Sequence, residues 1–261
     1  MKILVLSDIH GNLAALNAIR ESADMVLCLG DMVNYGPYPG ECIKKIRSMT
    51  DKIVRGNHDN AIGKNLGCGC SEKYAELSNA GKAFTIATLN NGEKSFLGNL
   101  PLTLNLQVAE KKFLFSHASP SGDLHKYLRP NVKDAEFITE SKGITADVVF
   151  IGHTHLPMVR EINGITYINP GSVGQPRDGI PLASYAVWED GRIEIKRVSY
   201  DIESTALGLR QTTIPPLHVA TLCPQSLGCP TGGSRRCLWG CTLASRAALG
   251  IRQTLHDRVA A

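Results

Sequence analysis

The first two hundred residues alternate between short apolar runs rich in β-branched residues and amphipathic segments, and this alternation restricts the fold more than any other feature. Three of the runs predict strands, at Lys2–Leu6, Met25–Leu29 and Lys52–Val54. The helical period predicts one helix that starts at the cap residue Asn12 and runs to about Ser22, and a second over Gly40–Met49. Strands that alternate with helices in this order indicate parallel strands joined by crossover helices.

The pattern changes along the rest of this region. Further helices are predicted at Tyr74–Leu89, Glu93–Leu100 and Lys133–Ser141, and further strands at Leu102–Val108, Lys112–Phe115 and Asp147–Ile151. The dipeptides Asn163-Gly164 and Asp190-Gly191 each separate two strand-like runs, which are Met158–Ile162 and Ile165–Ile168, then Ala183–Trp188 and Arg192–Val198. Both dipeptides suit type I′ hairpin turns. A parallel α/β part followed by an antiparallel part predicts two facing sheets with helices outside.

The pattern stops near Ser204, so we predict a domain over residues 1–203 and a C-terminal extension of unknown role, irregular or poorly ordered, over 204–261. Residues 1–203 contain 22 Lys and Arg against 23 Asp and Glu, whereas the remainder contains six Arg and one Asp. The net charge of residues 1–203 is therefore close to zero, and the net positive charge of the chain lies in the extension. For this reason no stable complex with nucleic acid is expected.

Membrane and secretory signals are not found in the sequence. There is no run of eighteen apolar residues, and the apolar stretch at the start is too short for a signal peptide. We therefore expect a cytoplasmic protein in which Cys28 and Cys42 are reduced and packed. The sequence assigns no role to Cys68 and Cys70.

Five short polar motifs each follow a strand-like run. They are Asp8-Ile9-His10, Gly30-Asp31, Gly56-Asn57-His58-Asp59, His117 and Gly152-His153-Thr154-His155, and they contain five of the eight histidines in the chain. Ligands of open α/β sheets gather at the carboxyl ends of strands, so we expect these motifs to converge. Alternate residues of an extended segment point the same way, so both side chains of D-x-H and of H-x-H should reach one site.

The types of residue in these motifs suit hard to borderline divalent cations, because they offer carboxylate, imidazole and amide ligands without a thiolate. Taken alone, a D-x-H pair is more often a helix cap or a surface pair, and a buried histidine is usually only hydrogen-bonded. The glycines in the motifs would let the backbone turn tightly and approach a ligand.

The ordered set D-x-H, GD, GNHD, H and GH-x-H resembles that of the calcineurin-like metallophosphoesterases, in particular small bacterial and archaeal phosphodiesterase-type proteins. The resemblance covers residues 1 to about 200. It includes three further segments, which are residues 30–37, 115–120 and 169–177. What it implies is an α/β fold, a four-layer αββα sandwich of two mixed β-sheets flanked by helices, with a binuclear metal centre at one edge.

The resemblance also implies a role for each motif residue. One cation would be bound by Asp8, His10, Asp31 and His155, and the other by Asp31, Asn57, His117 and His153. His58 would face the substrate and protonate the leaving oxygen, and Asp59 would orient His58. A hydroxide held between the two cations would attack phosphorus in line.

Two residues beside the motifs are candidate substrate contacts. Tyr35 could stack on a base or a sugar, although packing is the more common role of such a tyrosine. Arg177 could clamp a phosphate, with a surface ion pair as the equal alternative.

The resulting hypothesis is a hydrolase of phosphodiesters or of nucleotide phosphoanhydrides that acts on a small, nucleotide-like substrate. It would require two divalent cations, with Mn²⁺ expected and Fe, Zn, Ni or Mg as alternatives. A phosphomonoesterase or phosphoprotein phosphatase stays open, and so does homo-oligomerisation. From another class, a non-catalytic scaffold on the same fold is the alternative, but the complete motif set favours an enzyme.

Overall fold

The computed structural model of the chain describes residues 1–69, 72–215 and 251–253. Cys70 and most of the predicted C-terminal extension therefore lie outside the described residues. Ten strands are described: β1 Lys2–Leu6, β2 Met25–Cys28, β3 Thr103–Val108, β4 Lys111–Ser116, β5 Val148–Phe150, β6 Met158–Ile162, β7 Ile165–Asn169, β8 Ala183–Glu189, β9 Arg192–Val198 and β10 Ile251–Gln253. Seven helices are described: α1 Leu13–Ala18, α2 Pro39–Met49, α3 Asn57–Gly63, α4 Glu72–Thr88, α5 Asn91–Asn99, α6 Asp134–Glu140 and α7 Ile202–Arg210. Within these residues no helix is both long and apolar enough to cross a bilayer.

The strands form two mixed five-stranded sheets, which confirms the predicted fold class. The first sheet has the order β10-β9-β8-β1-β2, and only β1 and β2 are parallel in it. The second has the order β3-β4-β5-β7-β6, with β4, β5 and β7 parallel and the two edge strands antiparallel.

The two sheets face each other across an apolar core, and alternating side chains explain why the inner strands are apolar throughout. In β1, Ile3 and Val5 pack between the sheets, whereas Leu4 and Leu6 pack against the outer helices. The second sheet does the same, since Phe113 points inward and Leu114 lies on the outer side with α6. Strands buried on both faces need no polar positions.

Two parts of the predicted topology need correction. The segment predicted as a third strand at Lys52–Val54 forms only a single bridge, between Ile53 and Cys28. The two hairpins do not make up one antiparallel part, because β6–β7 joins the second sheet and β8–β9 joins the first. The turns themselves are as predicted, with positive φ at both residues of Asn163-Gly164 and of Asp190-Gly191.

Helix α7 packs against α1 and the loop that follows β2. This helix crosses the boundary predicted between residues 203 and 204. Ala206 and Leu209 are buried against Tyr35, and the Thr205 hydroxyl donates a hydrogen bond to Asn12 Oδ1 at 2.9 Å. Asn12 caps α1 as predicted, since its side chain accepts from the Ala15 amide. The predicted packing of Cys28 and Cys42 is also confirmed, because both are free and buried.

Candidate metal centre

The five polar motifs meet at one edge of the sandwich, as expected from their positions after strands. Asp8 follows β1 and Asp31 follows β2, which are neighbours in the first sheet. His117 follows β4 and His153 follows β5, which are neighbours in the second sheet. Asn57 opens helix α3 beside them. The loops at the carboxyl ends of four parallel strands therefore build the site.

The reason for convergence differs from the one predicted. The D-x-H and H-x-H segments are not extended, because Asp8, His10, His153 and His155 all have φ between 51° and 64°. Asp31 is also in this left-handed region, at φ 54°. Such a backbone costs about 1–3 kcal/mol for each residue and is retained where the surrounding fold enforces it. Tight turns, and not strand alternation, bring each pair of side chains to one point.

The motif glycines are required by contacts between the motifs themselves. A Cβ on Gly56 would lie 2.1 Å from Asp31 Oδ1, and a Cβ on Gly152 would lie 2.0 Å from Ser7 Oγ. Gly56 therefore lets the start of α3 touch Asp31, and Gly152 lets the loop after β5 touch Ser7 and Asp8.

Asp8 uses its two carboxylate oxygens differently. The Oδ2 atom accepts hydrogen bonds from Ser7 Oγ at 2.5 Å and from the His153 amide at 3.1 Å. The Oδ1 atom is buried, makes no hydrogen bond, and lies 3.2 Å from His155 Nε2 and 3.9 Å from His10 Nε2. A buried carboxylate oxygen without a hydrogen bond is costly. A cation between this oxygen and the imidazoles would satisfy it.

Asp31 lies between two groups of imidazoles. Its Oδ1 atom accepts from the His58 amide at 2.8 Å, and its Oδ2 atom lies 3.3 Å from His117 Nε2 and 3.7 Å from His10 Nε2. The Oδ2 atom therefore faces histidines of both halves of the site, a position from which a carboxylate can bridge two cations.

Backbone carbonyls orient three of the imidazoles. The Nδ1 atom of each donates to a carbonyl oxygen: His10 to Val33 at 3.1 Å, His117 to Leu29 at 2.8 Å and His155 to Gln175 at 2.6 Å. A carbonyl can only accept, so Nδ1 carries the hydrogen and Nε2 of the neutral ring holds a lone pair toward the centre. This arrangement is typical of histidines that bind metals.

Asn57 presents its amide oxygen to the centre. Its Nδ2 atom donates to the Cys68 carbonyl at 2.8 Å, which fixes the orientation of the amide. The Oδ1 atom lies 3.0 Å from both His117 Nε2 and His153 Nδ1. An oxygen and two ring nitrogens thus converge in the second half of the site.

Electrostatics keep most of these imidazoles neutral. Burial lowers the pKa of His10, His153 and His155. Burial is the largest single influence on the pKa of His117 and acts to lower it, but the charge and contact of Asp31, the Asp8 charge and the Leu29 carbonyl together outweigh burial and raise that pKa to about 9. Neutral imidazole is the form that binds cations.

The two aspartates stay ionised despite their surroundings. Burial acts to raise both pKa values, but His155 and His117 hold the pKa of Asp8 below its usual range, and His117 and His58 do so for Asp31. The centre therefore contains two buried carboxylates among mostly neutral rings, and divalent cations suit such a donor set.

Three groups of side chains have ligand atoms close enough to share an ion, among the residues that the structure describes. The groups are Asp8-His10-His155, Asp31-His117-His153 and His10-Asp31-His58. The first two each contain three of the four residues of a predicted ligand set, without Asp31 in the first and without Asn57 in the second. The third includes His58, which the sequence analysis expected to face the substrate.

The partner of His58 was missed by the sequence analysis. Asp59, expected to orient His58, instead accepts from the backbone amides of Asp31, Met32 and Gly56 at 2.7, 3.0 and 3.1 Å. Burial and the Asp31 charge raise the Asp59 pKa to about 7. Asp59 thus fixes the metal loops to each other.

Asn34 holds the His58 ring. Its Oδ1 atom accepts from the Tyr35 amide at 2.8 Å, so its Nδ2 atom must be the one 2.7 Å from His58 Nδ1. His58 Nδ1 therefore accepts, and the ring hydrogen sits on Nε2. That atom lies 4.0 Å from Asp31 Oδ2. Burial lowers the His58 pKa to about 4.

The two candidate substrate contacts differ in access. Tyr35 is fully buried, and its ring packs edge-on against His10 at 4.9 Å and His58 at 5.0 Å between ring centres. It has no face open to a base, so it acts through those two rings. Arg177 is half-buried, donates to Gln175 Oε1 at 2.8 Å and influences the pKa of both His58 and His155.

Comparisons with known proteins agree with this geometry. Residues 1–190 match the family model described as the calcineurin-like phosphoesterase superfamily domain. The uncharacterized protein MJ0912 of Methanocaldococcus jannaschii is 36% identical over 236 residues, which cover 82% of this chain and 93% of that protein. Phosphodiesterase YfcE of Escherichia coli is 25% identical over 213 residues, covering 75% and 91%. The crystal structure of a metallophosphoesterase from Sphaerobacter thermophilus superposes with a TM-score of 0.72 at 30% identity, covering 85% of this chain and 98% of that one.

Proposed function

The chain belongs to the calcineurin-like phosphoesterase superfamily, and on that premise we propose that it hydrolyses phosphodiester or phosphoanhydride bonds of a small substrate at a binuclear metal centre. Membership makes it a metal-dependent phosphoric ester hydrolase. The two-cation mechanism and the class of substrate are our proposal. The name of its relative YfcE, a phosphodiesterase, supports that class.

The observation that carries the proposal is that one oxygen of each buried aspartate is directed at imidazole nitrogens. Asp8 Oδ1 faces one pair of imidazoles, and Asp31 Oδ2 faces imidazoles on both sides. We assign one cation to Asp8, His10, Asp31 and His155, and the second to Asp31, Asn57, His117 and His153. When bound, two divalent cations would activate the phosphoryl group and the attacking water as Lewis acids.

The remaining residues of the chain supply orientation and hydrogen bonds. Asn34 keeps the hydrogen of neutral His58 on Nε2, so that this nitrogen can donate a hydrogen bond to the leaving oxygen and stabilise the negative charge that develops there. Transfer of the proton itself would leave an imidazolate, so we propose a hydrogen-bond donor in place of the predicted general acid. Asp59 holds the loop of Asp31 through the amides of Asp31 and Met32. Arg177 stands on the His155 side and can bind a phosphate oxygen.

The test is hydrolysis by the chelated and the reloaded protein. Bis(p-nitrophenyl) phosphate and p-nitrophenyl phosphate distinguish a diesterase from a monoesterase, because they differ in one ester group. We expect chelation to abolish cleavage, Mn²⁺ to restore it, and the diester to be the better substrate. Full turnover by protein shown to be free of metal would overturn the two-cation mechanism, and preference for the monoester would overturn the substrate class.

A further inference from the structure

A loop after β4 brings an aromatic ring and an arginine to the metal centre. Leu128 is fully buried and packs with Phe137 beneath the second sheet, so it anchors the loop. The neighbouring Tyr127 reaches the other way, and its ring centre lies 4.1 Å from that of His153. No motif marks Tyr127 in the sequence, which is why the sequence analysis did not find it.

Arg129 lies on this ring. Its guanidinium carbon is 4.7 Å from the centre of the Tyr127 ring. Arg129 is exposed, and among the described residues its guanidinium has no hydrogen bond or ion pair. A guanidinium that stacks on a ring keeps its N–H donors available at the edge, in a planar fork that fits two oxygens of a phosphate.

The solvent-exposed edge of the metal centre lies on the same side as Tyr127. Among the assigned metal and catalytic residues, the most exposed are His153 at 4% and His58 at 3%, whereas His10, Asn57 and His117 are at 0%. A substrate therefore meets the centre at His153 and His58. One of these two rings is in contact with Tyr127, so the part of the substrate that extends beyond His153 passes next to Arg129.

We propose that Tyr127 and Arg129 form a subsite for a second phosphoryl group of the substrate. This inference deepens and rests on the proposed function, and it makes phosphoanhydrides with at least two phosphates the preferred substrates. Tyr127 is the platform that holds the guanidinium, and Arg129 binds the phosphoryl group that is not attacked. Lys126, in the same loop, already pairs with Glu136 at 3.0 Å and is not needed.

The experiment compares two substrates that differ by one phosphoryl group. Adenylyl-(3′→5′)-adenosine has one phosphate between two adenosines, and P1,P2-diadenosine diphosphate has two. We expect Arg129→Gln to lower kcat/KM for the diphosphate about 10- to 100-fold, mainly through KM, and to leave the monophosphate diester unchanged. Arg129→Lys keeps the charge without the planar fork, so its kcat/KM for the diphosphate should lie between those of the wild-type protein and Arg129→Gln. Tyr127→Leu should behave like Arg129→Gln, whereas Tyr127→Phe should keep the subsite.

The matched control is an arginine of helix α2, which packs on the outer face of the first sheet. Arg47 in α2 is also exposed and stacks on Phe96 at 4.6 Å, far from the motifs. Arg47→Gln should change neither substrate. A second readout does not need turnover, since calorimetry measures the Kd of α,β-methylene-ADP and of AMP. Arg129→Gln should weaken only the first.

Four outcomes would overturn the subsite. Arg129→Gln could affect both adenosine substrates equally, affect neither, or weaken AMP as much as α,β-methylene-ADP. In the fourth, the wild-type protein cleaves the monophosphate diester and not the diphosphate, and the proposed function survives without the subsite. If the metal-loaded protein cleaves no phosphodiester or phosphoanhydride at all, the proposed function itself has failed.

Discussion

The two halves of the metal centre are held in different ways. In the half formed by Asp8, His10 and His155, all three residues have positive φ, and both imidazoles donate to backbone carbonyls. In the other half, formed by Asn57, His117 and His153, only His153 has positive φ. His117 donates to the Leu29 carbonyl, but the His153 ring has no backbone carbonyl partner among the described residues, and its only hydrogen-bond contact there is from Nδ1 to the Asn57 amide oxygen.

Two loops complete the support of the second half. Asn57 is oriented by the carbonyl of Cys68, in the loop that follows α3, and His153 rests on Tyr127. The two histidines of the first half are instead held by the backbone carbonyls of Val33 and Gln175, which are buried residues. We therefore propose that the first half is arranged for a cation before one binds. The second half depends on how well its loops are placed, so we expect it to bind its cation less tightly.

The largest effect is expected at the residue that both halves share. Asp31→Ala removes the oxygen that faces His117 and His10, so both sites should lose affinity. Loss of Lewis-acid stabilisation is worth several kcal/mol, so kcat/KM should fall about 10⁴-fold or more. Steady-state hydrolysis of bis(p-nitrophenyl) phosphate measures it. A fall below tenfold would show that Asp31 bridges nothing.

The next largest effect is expected at His58, where a substitution tests whether this residue binds a cation or contacts the substrate. His58→Ala should retain both cations and lower kcat about 10²- to 10³-fold for a substrate with a poor leaving group, because the hydrogen bond from Nε2 to the leaving oxygen is lost. The defect should shrink with p-nitrophenolate as the leaving group. Asn34→Leu should give a smaller defect of the same kind, since it removes only the bond that holds Nδ1.

Loss of metal from His58→Ala would assign His58 to the group with His10 and Asp31. An equal defect for both leaving groups would exclude stabilisation of the leaving oxygen by His58.

Truncation tests the support of the first half. We propose that the domain extends to Pro215, because α7 buries Leu209 and its Thr205 bonds to Asn12 next to the Asp8 motif. A chain that ends at Pro215 should keep its activity. A chain that ends at Glu203 should lose about 3 kcal/mol of unfolding free energy through the lost apolar burial. Unfolding in denaturant measures this difference in free energy. Equal stability of the two chains would mean that the domain ends at residue 203, as the sequence analysis predicted.

The smallest effect should come from the loop that supports Asn57. Gly69 has φ +64°, and a Cβ there would meet His125 Nδ1 at 2.4 Å. Gly69→Val should shift the loop and weaken one cation about tenfold through Asn57, leaving the other unchanged. Gly143→Val is the matched control, because Gly143 has φ +80° with open space around it. Calorimetric titration with metal distinguishes the two variants. Equal cation affinity of Gly69→Val and Gly143→Val would refute the claim that this loop supports Asn57.

Local sequence signals predicted local structure well. Asn-Gly and Asp-Gly gave the hairpin turns because only a few residues tolerate two successive positive φ values. The sheet that each hairpin joins could not be predicted from the sequence, because it depends on pairing between strands that are distant along the chain, such as β8 with β1. Lys52–Val54 has strand composition, but its chain turns into the Asn57 motif after one bridge.

The motifs predicted which side chains converge, because each follows a strand that ends at the same edge. The supporting residues carry no local signal. Asn34 contacts His58, and Tyr127 contacts His153, across 24 and 26 positions. Only the folded loops bring them together. The positive φ of the motif residues was likewise unreadable, since such strain is imposed by the surrounding fold.

The count of cations per chain tests the central claim most directly. Chelated protein is reloaded with Mn²⁺, freed of unbound ions and analysed by elemental mass spectrometry beside His155→Ala and Asn57→Ala. With two half-sites that share Asp31, the wild-type chain should hold two cations. His155→Ala should lose the cation of the first half and Asn57→Ala that of the second, so each should hold one. A single cation in the wild-type chain, or the same loss of both in the two variants, would contradict a centre built of two halves.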